Sequence, residues 1–185
     1  MHLRSAVRCG AIMLFLAASA QAGTAVVLYQ TISLGGGIFR YNYSIFNNAA
    51  LGPGVPIELF DVLFDPALYQ ESSLAFVSPP PLSTQWSEMV FTSVPPLPAL
   101  YDVLANTGGI PDGGSVSGFS VQFAWLGQGT PGSQPFRIYD SQTFDLLLSG
   151  TTASAPEPST VALLATSLAC VVFRYRRRRN CPERR

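Results

Sequence analysis

Apolar and polar residues alternate most cleanly over IFRYNYSIF (38–46). Phe39, Tyr41, Tyr43 and Ile45 fall on one side, and Arg40, Asn42 and Ser44 on the other. A period of two is the signature of a strand with one buried face. SVSGFSVQFAW (115–125) repeats it, with Phe119, Val121, Phe123 and Trp125 opposite Gly118, Ser120, Gln122 and Ala124. IELFDVLFD (57–65) differs: Ile57, Leu59, Asp61 and Leu63 share one face, and Glu58, Phe60, Val62 and Phe64 the other. Both faces are largely apolar, which predicts a strand inside a sandwich, ending at Pro66. Further strands are predicted over 24–31, 136–140 and 143–150. Gly35 to Gly37, Asn47-Asn48, Gly52-Pro53-Gly54 and the segment 127–135 supply turns. The prolines at 79–81, 95, 96 and 98 read as connections, because proline donates nothing to a central ladder. Short strands, many Gly/Pro turns and no long amphipathic helix predict an all-β fold, a β-sandwich over residues 23–150.

The two ends break the strand pattern. Residues 1–22 place Arg4 and Arg8 before an apolar run that closes on Ala20-Gln21-Ala22. A basic start, an apolar middle and a small-x-small end are the parts of a secretory signal peptide. Signal peptidase would cut there and leave Gly23 first, so Ala20, Ala22 and Gly23 mark the expected site. The run is shorter than the roughly 20 residues a permanent span takes. At the other end, small residues 151–155 read as a linker. Pro156-Glu157-Pro158 follows, then an apolar run (159–173), then Arg174 and Arg176, Arg177, Arg178 and Arg179. That run is again short for a span. The arginines would stay on the cytoplasmic side. The body then lies outside, the side to which the amino-terminal signal would send it.

Charge separates into the same three blocks. The formal total is zero, yet the body (23–155) holds nine acids and only two arginines, Arg40 and Arg137, while seven arginines follow residue 155. There is no lysine. An acidic body between basic, apolar ends argues against a nucleic-acid partner and for membrane orientation. Cys9, Cys170, Cys181 and His2 all lie outside the body. The body therefore lacks the commonest general base, a thiol nucleophile and the usual transition-metal ligands. No cofactor, metal site or catalytic residue is expected, and no enzymatic activity.

The remaining chemistry is sparse. Asp61 and Asp65, or Asp112 in its Pro-Asp-Gly-Gly turn, carry oxygens a calcium ion would use, but the spaced Asp-x-Asp-x-Asp loop is missing. Asp140 and Asp145 imitate a glycosidase carboxylate pair, though turn solvation explains them more simply. Asn42-Tyr43-Ser44 matches a glycosylation triplet but falls mid-strand. Trp86 reads as core rather than as a sugar platform.

The carboxy-terminal stretch resembles a PEP-CTERM sorting signal of exported bacterial proteins. The likeness rests on Pro156-Glu157-Pro158, the short apolar run directly after it and the arginine cluster, about 25 residues. The body segments FRYNYSIFN and GFSVQFAWLGQGTPGSQPF also have the character of that group. The resemblance implies recognition of Pro156, Glu157 and Pro158 by an exosortase, a membrane-embedded cysteine protease, in a Gram-negative bacterium. It implies transient parking in the inner membrane, removal of the tail, and a place at the cell surface or in a biofilm matrix with exopolysaccharide. The expected organisation is signal peptide 1–22, β-sandwich 23–150, linker 151–155, sorting signal 156–180 and tail 181–185. The competing readings are a permanent single-pass membrane protein and, less favoured, a secreted polysaccharide hydrolase.

Overall fold

The computed structural model describes residues 27–49 and 51–155. Among these residues ten strands form two five-stranded sheets that pack face to face. In chain order they are β1 (Val27–Gly35), β2 (Ile38–Phe46), β3 (Leu59–Phe64), β4 (Tyr69–Phe76), β5 (Trp86–Phe91), β6 (Ala99–Ala105), β7 (Ser115–Trp125), β8 (Pro135–Tyr139), β9 (Leu146–Thr151) and β10 (Ala153–Ser154). One four-residue helix, α1 (Pro80–Ser83), precedes β5. The first sheet runs β10-β1-β2-β7-β4 and the second β5-β6-β3-β8-β9. The all-β sandwich expected from the alternation is the fold observed.

The strands with the cleanest alternation occupy central places. β2 lies between β1 and β7, and buries Tyr41, Tyr43 and Ile45. β7 buries Phe119, Val121 and Phe123. Between them Gly118 (φ 109°) is an extra residue: Tyr43 pairs with Phe119, but Ser44 pairs with Ser117. A bulge at glycine shifts the inward phase by one residue, so Val116 before it and Phe119 after it both pack on the core. β3 is buried along its whole length at the middle of the second sheet, as its two apolar faces predict. Its inward row, Phe60, Val62 and Phe64, meets the first sheet's aromatics. Phe60 stands edge-on to Phe119 at 5.2 Å between ring centres, and Phe64 to Tyr69 at 5.0 Å. Phe123 lies 4.7 Å from Tyr41 and 5.0 Å from Tyr69. Such offset and edge-on contacts add about 0.5–1.5 kcal/mol per pair beyond area burial. Trp86 is core, set against Phe60 and Phe119.

Several expectations need correction. β4, β5 and β6 are strands that the sequence pattern does not predict, while the prolines at 79–81, 95, 96 and 98 fall between them, as expected of connections. β4 keeps its place beside β7 despite Gln70-Glu71-Ser72-Ser73, because the Ser73 hydroxyl accepts the Ala124 N–H at 2.8 Å in place of a ladder carbonyl. Prolines bracket β5 and β6 without entering them, so those ladders stay intact. The expected strand over 143–150 begins only at Leu146, because Asp140 to Asp145 form a closed turn. Residues 151–155, expected to be a linker, are not one. Thr152 is buried and its N–H donates to the Gln134 carbonyl at 2.8 Å, while Ala153 and Ser154 pair with β1. Small residues fit there because the chain crosses from the second sheet to the first at Thr152.

Candidate functional site

The acidic residues singled out above are dispersed. Asp65 accepts the Ala67 N–H at 2.9 Å and starts the turn into β4. Asp112 sits in the turn after β6. Asp140 and Asp145 do meet, but within one turn. Asp140 Oδ1 accepts the N–H groups of Gln142 and Thr143, each at 2.8 Å, and the Thr143 hydroxyl donates to Asp145 at 2.8 Å. Those backbone donors hold the Asp140 carboxyl below the usual range. Among the described residues, no three His, Cys, Asp or Glu side chains converge.

Asp61 has a partner that the sequence did not disclose. It lies on the outward row of β3, across from Asp102 of β6 on one side and Arg137 of β8 on the other. It is 8% exposed and its Oδ1 has no hydrogen-bond partner. Burial first, then the adjoining Asp102 carboxyl, pushes Asp61 up to about 7, with Arg137 pulling the other way. Asp102 is raised too, chiefly by burial. A carboxyl that titrates near 3.9 unfolded and near 7 folded binds its proton more tightly in the fold. Its contribution to stability therefore falls as pH rises from about 4 to about 7, and is constant above. Asp140 works in the opposite sense, losing stability as pH falls below the unfolded carboxylate range. Asp61→Asn is expected to raise the urea midpoint at about pH 8 and to shrink the difference between about pH 5 and about pH 8. An unchanged pH dependence in the variant would show that Asp61 is not the group responsible.

The more informative site is the point where the chain leaves the sandwich. Thr152 anchors it: its hydroxyl accepts the Gln134 N–H at 2.9 Å, and Gln134 in turn accepts from the Tyr43 hydroxyl at 3.1 Å. β10 then runs parallel to β1, with Leu28 beside Ala153 and Tyr29 beside Ser154. The Ala155 N–H still donates to the Tyr29 carbonyl at 2.7 Å. Ala155 also forms the rim of an open groove of about 480 Å³ across the outer face of the first sheet. Gln30, Arg40, Asn42 and Ser120 line it, and among the described residues no acid does. Asn42 accepts the Ser120 hydroxyl at 2.9 Å, so the mid-strand triplet Asn42-Tyr43-Ser44 serves the sheet. Arg40 Nε is buried and has no hydrogen-bond partner among the described residues.

Residues 154–178 match the family model of the PEP-CTERM protein-sorting motif. The chain carries a PEP-CTERM sorting signal. This marks it as an exported protein that is processed by an exosortase at the membrane and then placed outside the cell. The match begins at Ser154, so two residues, Ser154 and Ala155, belong both to the PEP-CTERM motif and to the folded sandwich. No curated protein matches the sequence. The rest of the sorting signal, including Pro156, Glu157, Pro158 and the arginines at 174 and 176–179, lies outside the described residues, as do the expected signal-peptidase positions Ala20, Ala22 and Gly23.

Proposed function

We propose that the mature protein is a non-enzymatic β-sandwich of the cell surface or extracellular matrix, associated with exopolysaccharide in a biofilm and delivered by its PEP-CTERM signal. The observation that carries this reading is the motif at residues 154–178, which begins within the last described strand. In this reading residues 1–22 are removed by signal peptidase and residues 159–173 park the chain in the inner membrane. The arginines at 174 and 176–179 hold the tail on the cytoplasmic side. Exosortase reads Pro156-Glu157-Pro158 and releases the body. The fold suits a matrix role. Most of its aromatic residues pack in the core between the sheets, while Phe46, Phe76, Phe91 and Phe144 are exposed.

The test is fractionation of the native host, followed by binding of the purified mature protein to the host's own exopolysaccharide. Recovery with the extracellular material, and retention on the polysaccharide, is the expected result. Recovery only in the membrane fraction, or cleavage of the polysaccharide into shorter chains, would overturn it.

A further inference from the structure

We propose that the outer face of the second sheet is an interface for a second copy of this chain, the two copies related by a twofold axis that runs between them along β3. The two outer faces of the sandwich differ in kind. On the first sheet that face carries Gln30, Arg40, Asn42, Ser120 and Gln122, as suits a sheet face turned to water. On the second, Phe60, Val62 and Phe64 of β3 point inward, so Leu59, Asp61 and Leu63 point outward. Register extends those positions into rows across the sheet. Leu59 lies between Leu104 of β6 and Tyr139 of β8, and Leu63 lies beside Leu100 of β6, with Phe91 of β5 beyond it. Phe91 is 44% exposed and Leu104 36%. Between these two apolar rows runs Asp102–Asp61–Arg137. Glu88, the one other charged side chain of the five strands, alternates to the inner side and accepts from the Tyr101 hydroxyl.

The order of charge along the row selects the occupant. Asp102 stands at one end, Arg137 at the other and Asp61 between them. A twofold axis along β3 exchanges the ends, so Asp102 faces the partner's Arg137 and Arg137 faces the partner's Asp102. Leu59 and Leu63 then meet their own copies on the axis, and Leu104 meets the partner's Tyr139. The other axis in the plane of the contact, along the row, sets Asp102 on Asp102 and Arg137 on Arg137. The saddle of a twisted sheet fits a copy of itself under either axis, so like-charge repulsion decides between them. Such a contact closes after two copies. It also brings the two Asp61 carboxyls together, each flanked by Asp102 of β6 and Arg137 of β8. The proton that Asp61 keeps up to about pH 7 removes their repulsion. Both ends of the described chain, Val27 and Ala155, lie at the β10-β1 edge of the first sheet, in the opposite layer from this face. Strands of five to seven residues make up the face. Five of them side by side cover roughly 1,000 Å² over two copies, the low end of specific interfaces. The dimer is therefore weak and depends on concentration.

Sedimentation velocity tests this on the protein as the native host yields it, whether the released body or the full chain in neutral detergent. Over a range of about 1 to 300 µM a dimer is expected to build up with concentration; a monomer throughout would overturn the proposal. Arg137→Asp and Asp102→Arg are each expected to weaken self-association by roughly 100-fold. Mixed with each other, the two variants are expected to form a heterodimer of native strength, because each row then complements the other. Urea midpoints at about 1 µM, where the chains are monomeric, show whether each variant folds. Folded variants that fail to associate on mixing would overturn the pairing. Phe91→Ser, at an exposed place on an apolar row, is expected to weaken the dimer by about tenfold. A dimer unchanged by Arg137→Asp and by Phe91→Ser would use another surface and would also overturn the proposal. The native dimer is expected to loosen between about pH 6 and about pH 8, and the Asp61→Asn dimer to hold across that range. Equal loosening in both would take Asp61 off the axis. Each of these failures leaves the sorting assignment and the matrix role standing.

Discussion

Glu157→Ala is expected to arrest the protein at the inner membrane with its carboxy-terminal segment attached. Pro158 disfavours helix at Glu157, and Pro156 does the same for Ala155, so the triplet is biased to extended backbone, the form a protease grips. Glu157 is the only charge between Asp145 and Arg174. A basic pocket reading that triplet has nothing else to hold. Truncating one partner of a desolvated charge pair costs about 2–5 kcal/mol, so processing should slow by roughly 30-fold or more. Glu157→Gln should fail nearly as badly, since it keeps the shape and loses the charge. The body should fold as before, because Glu157 lies beyond the last described strand. Pulse-chase labelling in the native host checks the result; normal release of the alanine variant would show that Glu157 is not read.

Phe123→Ala is expected to have the largest effect on the body. Phe123 is fully buried on β7, and its ring lies within 6.3 Å of Phe39, Tyr41, Phe64 and Tyr69. It therefore joins β2, β7 and β4 of one sheet to β3 of the other. Deleting a buried phenyl costs about 3–5 kcal/mol in lost transfer energy and cavity formation. A domain of this size has about 5–15 kcal/mol in total, so the variant should lose much of its stability. Leu146→Ala, at a side chain that is 54% exposed, should change stability by no more than about 0.5 kcal/mol. Urea unfolding of both variants measures the contrast. Similar midpoints would mean that the aromatic layer between the sheets is not what holds them together.

The two kinds of site differ in how far they can be read from sequence. The sorting signal is legible because its parts are contiguous: a triplet, an apolar run and an arginine cluster follow one another without a fold in between. β2 and β7 are legible because each buries one face and wets the other. β4 is not, since the Ser73 hydroxyl and a local register shift replace the regular ladder that alternation presupposes. β5 and β6 were masked by their flanking prolines. The row Asp102–Asp61–Arg137 has no local pattern at all. Each member sits on a different strand, and only the register of β3 between β6 and β8 brings them together. The junction is obscure in sequence for a related reason. Thr152 and Ala153 look like linker residues, yet small side chains are what a crossing between two closely packed sheets requires.

The central claim is that a folded β-sandwich reaches the outside by means of a carboxy-terminal signal that is then removed. The intact mass of the protein isolated from the native host tests it most directly. The expected mature chain begins at Gly23 and ends at or near Pro156-Glu157-Pro158. A mass that still includes Arg176, Arg177, Arg178 and Arg179 would contradict it.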